Sequence, residues 1–338
     1  MPEGLQRVGV LCSGPDILAE HGVDADALAR ELGLDPAALR NPDAFIPYTA
    51  MGRYVEACAR RTGLAHFGLL VGLRATTAAL GVVGALMRNA PDLGRAMADL
   101  VTHQPRYVRG AAIFLFRAEA EFMFGYVSYQ PGTPGRDQIQ AGALAGGMRL
   151  VAELTGIAPR AVMLAQAAPA DPALRQLYAR CLGAPVQFDS EISALAFPRA
   201  QLRLPVIGAD PTKRAELEKL ILNYAPMGAL PSFAQSVRHA LVSRIAWNRC
   251  TLAETARLFD LHPRAMERRL QAAGTSFAAL RDEARFEVSC QLLSATGLSL
   301  GRIGAAIGYA EQAVFSRAFR RWSGVAPSAW RRANALQG

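Results

Sequence analysis

Residues 251 to 332 carry one pattern twice: a short amphipathic helix, a tight turn and a second amphipathic helix. In the later copy Leu300, Ile303 and Ile307 fall at i, i+3 and i+7, one face of a helix, and Gly308 follows as a stop signal. After a turn at Gly308 and Tyr309 the stripe restarts at Phe315, Phe319 and Trp322. That leaves Gln312, Ser316, Arg317 and Arg320 on the opposite side. In the earlier copy Leu252, Ala256 and Phe259 make the leading helix and Asp260-Leu261 the turn. Met266 and Leu270 then anchor a second helix that exposes Arg264, Glu267 and Arg268. Leading-helix and turn positions repeat at a spacing of 48 residues, as from Leu252 to Leu300.

Two short helices about a tight turn describe the helix-turn-helix, whose second helix enters the DNA major groove. The outer faces carry donors suited to phosphates and guanine edges. A helical hairpin with arginines on its wet face also occurs in ordinary all-α domains, but two copies with matching basic faces favour DNA. Between them Phe277, Leu280, Ala284, Val288 and Leu292 keep helical spacing. That strut of about 18 residues is near 27 Å long, against the roughly 34 Å of one DNA turn.

Charge points the same way. Residues 230 to 338 hold 15 Lys+Arg against 7 Asp+Glu, a net of +8 out of +9 for the 338 residues, so the first 229 hold 22 against 21. A basic module joined to a nearly neutral one confines the attraction for a polyanion to the C-terminal end.

These residues resemble the AraC/XylS transcriptional regulators. The resemblance rests on Ile303, the Ile307-Gly308-Tyr309 turn, Phe315, the run from Arg317 to Trp322, and Gly324-Val325-Ala326-Pro327. Arg268-Arg269-Leu270 and Gly274-Thr275-Ser276-Phe277 carry it in the first half. It implies that Arg264, Glu267 and Arg268 in one recognition helix, and Gln312, Ser316 and Arg317 in the other, face bases or phosphates, and Arg320 on the same exposed side is expected to join them. Departures from the family pattern are His262 and Ala310 in place of a capping serine, a loss that costs typically about 1 kcal/mol. Asp260 replaces a turn glycine, and Gly304 an alanine.

Residues 1 to 210 predict an α+β unit of helices plus a small antiparallel sheet. Helices are expected over 25–32, 48–60, 67–74, 80–88 and 93–103, with a hairpin of strands over 111–116 and 122–129. A helix over 136–155, strands near 161–164 and 194–197 and a helix over 172–181 complete it. Residues 211 to 231 read as a linker helix and loop, the helix free either to pack on this unit or to pair with a second copy. Residues 232 to 338 read as an all-α domain with helix-turn-helix motifs at about 251–272 and 299–322 joined by a long helix.

The N-terminal stretch resembles the arabinose-binding-like effector domain found in one branch of AraC-type regulators. Matching residues include Phe67-Gly68-Leu69, Gly72, Leu80-Gly81, Gly84, Pro91-Asp92-Leu93-Gly94, Pro169-Ala170-Asp171-Pro172, Phe188 and Phe197-Pro198. The resemblance implies a small-molecule sensor that dimerises and a C-terminal domain that binds promoter DNA and contacts RNA polymerase; the regulator is expected to be an activator, although the sequence does not separate activation from repression. It does not imply arabinose as the ligand. A pocket is expected between the helical half and the hairpin, with Phe114, Phe116, Phe124 and Tyr126 as lining candidates and Arg106, Tyr107 and Arg109 at the rim. Few charges fall inside these strands, which suggests an apolar or aromatic effector with one polar group.

No cofactor is expected. Cys12, Cys58, Cys181, Cys250 and Cys290 are odd in number and lack a CxxC pair, which fits reduced thiols and not a zinc site. Asp282 and Glu283 are expected to face water. The sequence offers no nucleophile elbow, phosphate loop or HExxH, so an enzyme is the weak alternative. No apolar run approaches 18 residues and no signal-like N-terminus is present, so a cytoplasmic protein without a membrane partner is expected. An effector-independent architectural DNA binder remains the second reading.

Overall fold

The computed structural model describes residues 3–104, 107–117, 120–128, 130, 132–222, 232–245, 250–259 and 261–334. The N-terminal unit opens with strand β1 (Leu5–Arg7), then helices α1 (Gly14–Glu20), α2 (Ala25–Glu31) and α3 (Pro36–Arg40), strand β2 (Phe45–Pro47) and helix α4 (Tyr48–Thr62). Helices α5 (Phe67–Leu73), α6 (Gly81–Arg88) and α7 (Leu93–His103) lead to the hairpin of β3 (Ala111–Arg117) and β4 (Glu121–Ser128). The rest is α8 (Arg136–Thr155), β5 (Ala161–Met163), α9 (Pro172–Leu182), β6 (Val186–Gln187), β7 (Ala194–Pro198) and α10 (Pro211–Leu222). Caps mark several starts: Asp24 accepts from the amides of Asp26 and Ala27, Asp92 from Arg95, and Asp171 from Ala173. β1 and β2, three residues each, are too short for alternation to reveal them, and they pair antiparallel.

The large sheet has the order β3-β4-β7-β5-β6. It is mixed and not purely antiparallel, because α9 returns the chain from β5 to a parallel β6. Helix α8 crosses one face and packs on α5 at close range. A Cβ on Gly68 would lie 2.0 Å from the carbonyl oxygen of Gln138, and one on Gly72 2.1 Å from that of Gly142. Helix α10 docks on the same unit: buried Arg214 donates to Asp99 at 2.9 and 3.3 Å and to the carbonyl of Leu86 at 3.1 Å. Of its apolar residues, Ile221 is buried, Leu217 half-buried and Leu220 exposed.

The C-terminal unit is all-α: α11 (Phe233–Ile245), α12 (Leu252–Leu258), α13 (Pro263–Ala272), α14 (Phe277–Ala295), α15 (Leu300–Ala306), α16 (Gln312–Ser323) and α17 (Pro327–Asn334). Each pair follows the expected pattern. Thr251 and Ser299 cap α12 and α15, accepting from the amides of Glu254 and Arg302. Gly308 turns with φ +87°, a conformation that favours glycine. Met266, Leu270, Phe315 and Phe319 are fully buried, each such side chain contributing about 1.5–3 kcal/mol. The expected linker loop at 226–231 and the Asp260 half of the first turn lie outside the described residues. Among the described residues no single helix is long and apolar enough to cross a membrane.

Candidate nucleic-acid interface and effector cavity

The apolar stripes of α13 and α16 point into the C-terminal core, so helical geometry puts the other face outside. Arg264, Glu267 and Arg268 of α13 and Gln312, Arg317 and Arg320 of α16 are exposed, and Ser316 is half-buried. Among the described residues Arg264, Arg268, Arg317 and Arg320 make no ion pair, whereas neighbouring arginines are committed to the fold. Arg321 donates to Asp282 at 3.0 Å, and Trp322 Nε1 donates to the same oxygen at 3.2 Å, tying α16 to the strut α14. Asp282 therefore does not simply face water, as the sequence suggested; it is a half-exposed fastener between the two helices. Arg285 lies 4.8 Å from the ring centroid of Tyr309, and Arg269 4.0 Å from that of Phe233. What remains free on the two recognition helices is a basic surface with unspent donors.

The starts of both recognition helices differ from the sequence expectation, which put a lost cap at His262 and at Ala310. His262 caps α13, its Nδ1 accepting from the amide of Arg264 at 3.3 Å, so the imidazole replaces the absent serine. Helix α16 starts at Glu311, whose side chain makes no capping bond. Gly304 has a packing role: a Cβ there would stand 3.1 Å from that of Phe315, so the missing methyl lets α15 approach α16.

A cavity of about 160 Å³ lies in the N-terminal unit, between β1, α4, α5, α7, α8 and the β3–β4 hairpin. Leu11, Met51, Val71 and Leu150 supply aliphatic wall, and Tyr107, Phe124 and Tyr126 the aromatic part. Tyr126 is fixed by a 3.0 Å bond between its hydroxyl and that of Tyr48. Of the residues singled out in the sequence, Tyr107, Phe124 and Tyr126 line this cavity; Phe114 and Arg109 do not. Arg106 and the side chain of Phe116 lie outside the described residues. Most of the lining was not singled out in the sequence, and its one charged member among the described residues is Arg7 of β1. It is buried, and its Nε and Nη2 donate to Asp43 at 3.2 and 2.8 Å. Its Nη1 donates to the carbonyl of Ala79 at 2.5 Å, and its guanidinium carbon lies 5.2 Å from the Tyr107 ring centroid.

Strand alternation explains the placement of Phe114. Ile113 pairs with Tyr126 and Leu115 with Phe124, and these four side chains face the N-terminal core and cavity. Phe114, opposite Gly125, turns the other way, with Met123 and Val127 of β4 and Ala194 and Ala196 of β7. That second face belongs to the hydrophobic core of the C-terminal unit, continuous with Val237 and Leu241 of α11 and Leu280 and Ala284 of α14. Beside it the carbonyl of Glu191 accepts from the amide of Gly297 at 3.0 Å, and its carboxylate from Arg302 Nη1 at 2.9 Å. One sheet thus forms a wall of the cavity on one side and a seat for the helix-turn-helix unit on the other.

The cysteines carry no visible chemistry. All five are free thiols, and burial pushes Cys58 and Cys290 up to about 12, far from the range of a reactive thiolate. Among the described residues no group of three or more His, Cys, Asp or Glu could hold a metal ion.

Comparison with known proteins identifies the family of both domains. The model of the arabinose-binding N-terminal domain of AraC transcription regulators matches residues 22–206, more than half of the chain, and a helix-turn-helix domain model matches residues 255–333. The chain is 27% identical to the HTH-type transcriptional regulator VirS of Mycobacterium tuberculosis, over 96% of this chain and 95% of that one. It is 24% identical to the ornithine utilization regulator of Pseudomonas aeruginosa, over 94% of each. The crystal structure of the transcriptional regulator CdpR from Pseudomonas aeruginosa aligns over 91% of this chain and 96% of that chain, at 18% identity and a TM-score of 0.45. With an N-terminal domain of the arabinose-binding type and a C-terminal helix-turn-helix domain, the chain belongs to the AraC family of transcriptional regulators.

Proposed function

We propose that this regulator is a one-component, ligand-responsive activator: a small molecule enters the N-terminal cavity and changes how the two helix-turn-helix motifs meet promoter DNA. The observation that carries the reading is the two-faced sheet. Ile113, Phe124 and Tyr126 wall the cavity, while their strand neighbours Phe114, Met123 and Val127 belong to the core of the DNA-binding unit. A ligand that moves the first set by a fraction of an ångström must move the second, because close-packed side chains transmit displacement. Coupling between such sites is typically about 1–3 kcal/mol. For DNA itself the reading assigns Arg264, Arg268, Gln312, Arg317 and Arg320 to bases and phosphates on the strength of their exposure and donor groups, with exposed Glu267 as an acceptor toward a base and half-buried Ser316 beside them on α16.

The test is selection from a pool of randomised duplex DNA by the full-length protein, with and without an extract of small metabolites. A two-block motif with about one helical turn between blocks, whose affinity the extract changes, is the expected result. The same motif with no response to the extract would leave an effector-independent binder. No enrichment at all would remove sequence-specific recognition by the paired motifs.

A further inference from the structure

We infer that the cavity takes a small organic acid, an apolar body of one ring or a short chain bearing a single carboxylate, with Arg7 as the anchor. The inference rests on the ligand-responsive reading above and adds the chemistry of the ligand. Size comes first. At about 160 Å³ the cavity is close to the ~150 Å³ engineered cavity that holds benzene, so a single ring or a chain of a few carbons fits.

Polarity comes next. Gln138 is spent at both ends, its Oε1 accepting from the Gly68 amide and its Nε2 donating to the carbonyl of Ala65. Gln6 Nε2 donates to the carbonyl of Arg7 and Gln104 Nε2 to that of Ala111. A sugar would carry several hydroxyls into a largely apolar wall in which the amide donors of Gln6, Gln104 and Gln138 are already engaged, at a desolvation cost for each hydroxyl left unpaired. The cavity therefore does not suit the pentose in the name of the family's domain model.

Charge decides the headgroup. Arg7 is the one charged side chain lining the cavity among the described residues, and no acidic residue is there to receive an amine. A guanidinium has five N–H donors, of which Arg7 uses three. Its counter-ion is lopsided: the Arg7 side chain is 5% exposed, Asp43 71%. Water screens the Asp43 carboxylate more than it screens the buried guanidinium, so the pair offsets the arginine's charge only in part. A carboxylate or phosphate suits the planar donor edge of a guanidinium, and the cavity volume favours the smaller carboxylate.

The experiment uses the full chain and two matched pairs of probes, phenylacetate with phenylacetamide and hexanoate with hexanamide, together with L-arabinose. Binding is read by calorimetry and by the shift in melting temperature. The expected result is that at least one acid binds and exceeds its own amide by about ten-fold or more, the scale of a hydrogen bond to a charged group. Gly146→Leu should abolish that binding. Gly146 lines the cavity, and a Cβ there would meet only Ala75 Cβ at 3.5 Å and the Gly72 carbonyl at 3.9 Å, so the variant fills the cavity with the helix kept. Arg7→Met should erase the preference for acid over amide; if that variant does not fold, the acid-to-amide ratio on the natural chain decides alone. Equal binding of acid and amide overturns the anchor and leaves the cavity as a neutral apolar site. Binding of arabinose without either acid overturns the ligand class. Binding of none of the five overturns the organic-acid inference, while a DNA affinity that still responds to the metabolite extract would show that the ligand-responsive reading survives it.

Discussion

Phe114 packs over the backbone of Gly125 so closely that a Cβ on Gly125 would stand 2.0 Å from the ring's Cζ and 2.4 Å from Cε2. Gly125 sits between Phe124 and Tyr126, which line the cavity, whereas Phe114 belongs to the core of the DNA-binding unit. The missing side chain lets the aromatic ring lie against the sheet, with α11 and α14 packed over the same face.

Gly125→Ala should therefore force Phe114 toward the C-terminal helices. Overpacking of this kind costs about 1–3 kcal/mol, to be read by chemical denaturation of the full chain. DNA affinity should change as well. A variant with unchanged stability and unchanged affinity would show that the contact between sheet and helices yields freely and transmits nothing.

Arg317 and Arg321 lie on one helix but have different tasks. Arg317→Ala should weaken specific DNA binding by about 1–3 kcal/mol at fixed salt if the side chain reads a base, with little effect on folding. Arg321→Ala loosens the Asp282 fastener and should lower thermal stability by up to about 1 kcal/mol, as for a surface ion pair. Titration of both variants with a selected site and with random DNA separates the roles. Equal loss on both DNAs for Arg317→Ala would make it a phosphate contact.

His262→Ala removes the cap of α13 and should destabilise the protein by about 1 kcal/mol, whereas His262→Asn or His262→Ser should restore most of that loss. Melting temperatures of the three variants test this. No loss in the alanine variant would mean that the 3.3 Å bond to the Arg264 amide contributes nothing.

Arg214 holds α10 against α6 and α7 through buried Asp99. Arg214→Met leaves Asp99 with Arg95 alone, at 3.1 Å. Breaking a buried pair of this kind costs about 3–5 kcal/mol, and the remaining arginine should hold the loss near the lower figure. The double variant Arg214→Met with Asp99→Leu should be clearly less destabilised than the single one. A double loss equal to the sum of the single losses would show that the pair is not coupled.

The local signals were legible in the sequence. Apolar stripes and the turn glycine placed α12, α13, α15 and α16, and the helix expected over about 136–155 is α8. Such features depend on neighbours within a few positions, where helical spacing is a reliable guide. The exposed faces of the recognition helices follow from the same spacing.

Long-range partnership was not legible. Nothing within β1 announces that Arg7 reaches a cavity, because its partners Asp43, Ala79 and Tyr107 lie on separate elements. Asp282 looked solvated because its partner Arg321 is 39 positions away. The hairpin was apolar on both faces, so alternation grouped Phe114 with Phe116 and Phe124 with Tyr126 without saying which group met the cavity and which the helices. Only tertiary packing decided that, since two apolar faces of one strand are equivalent until each acquires a neighbour.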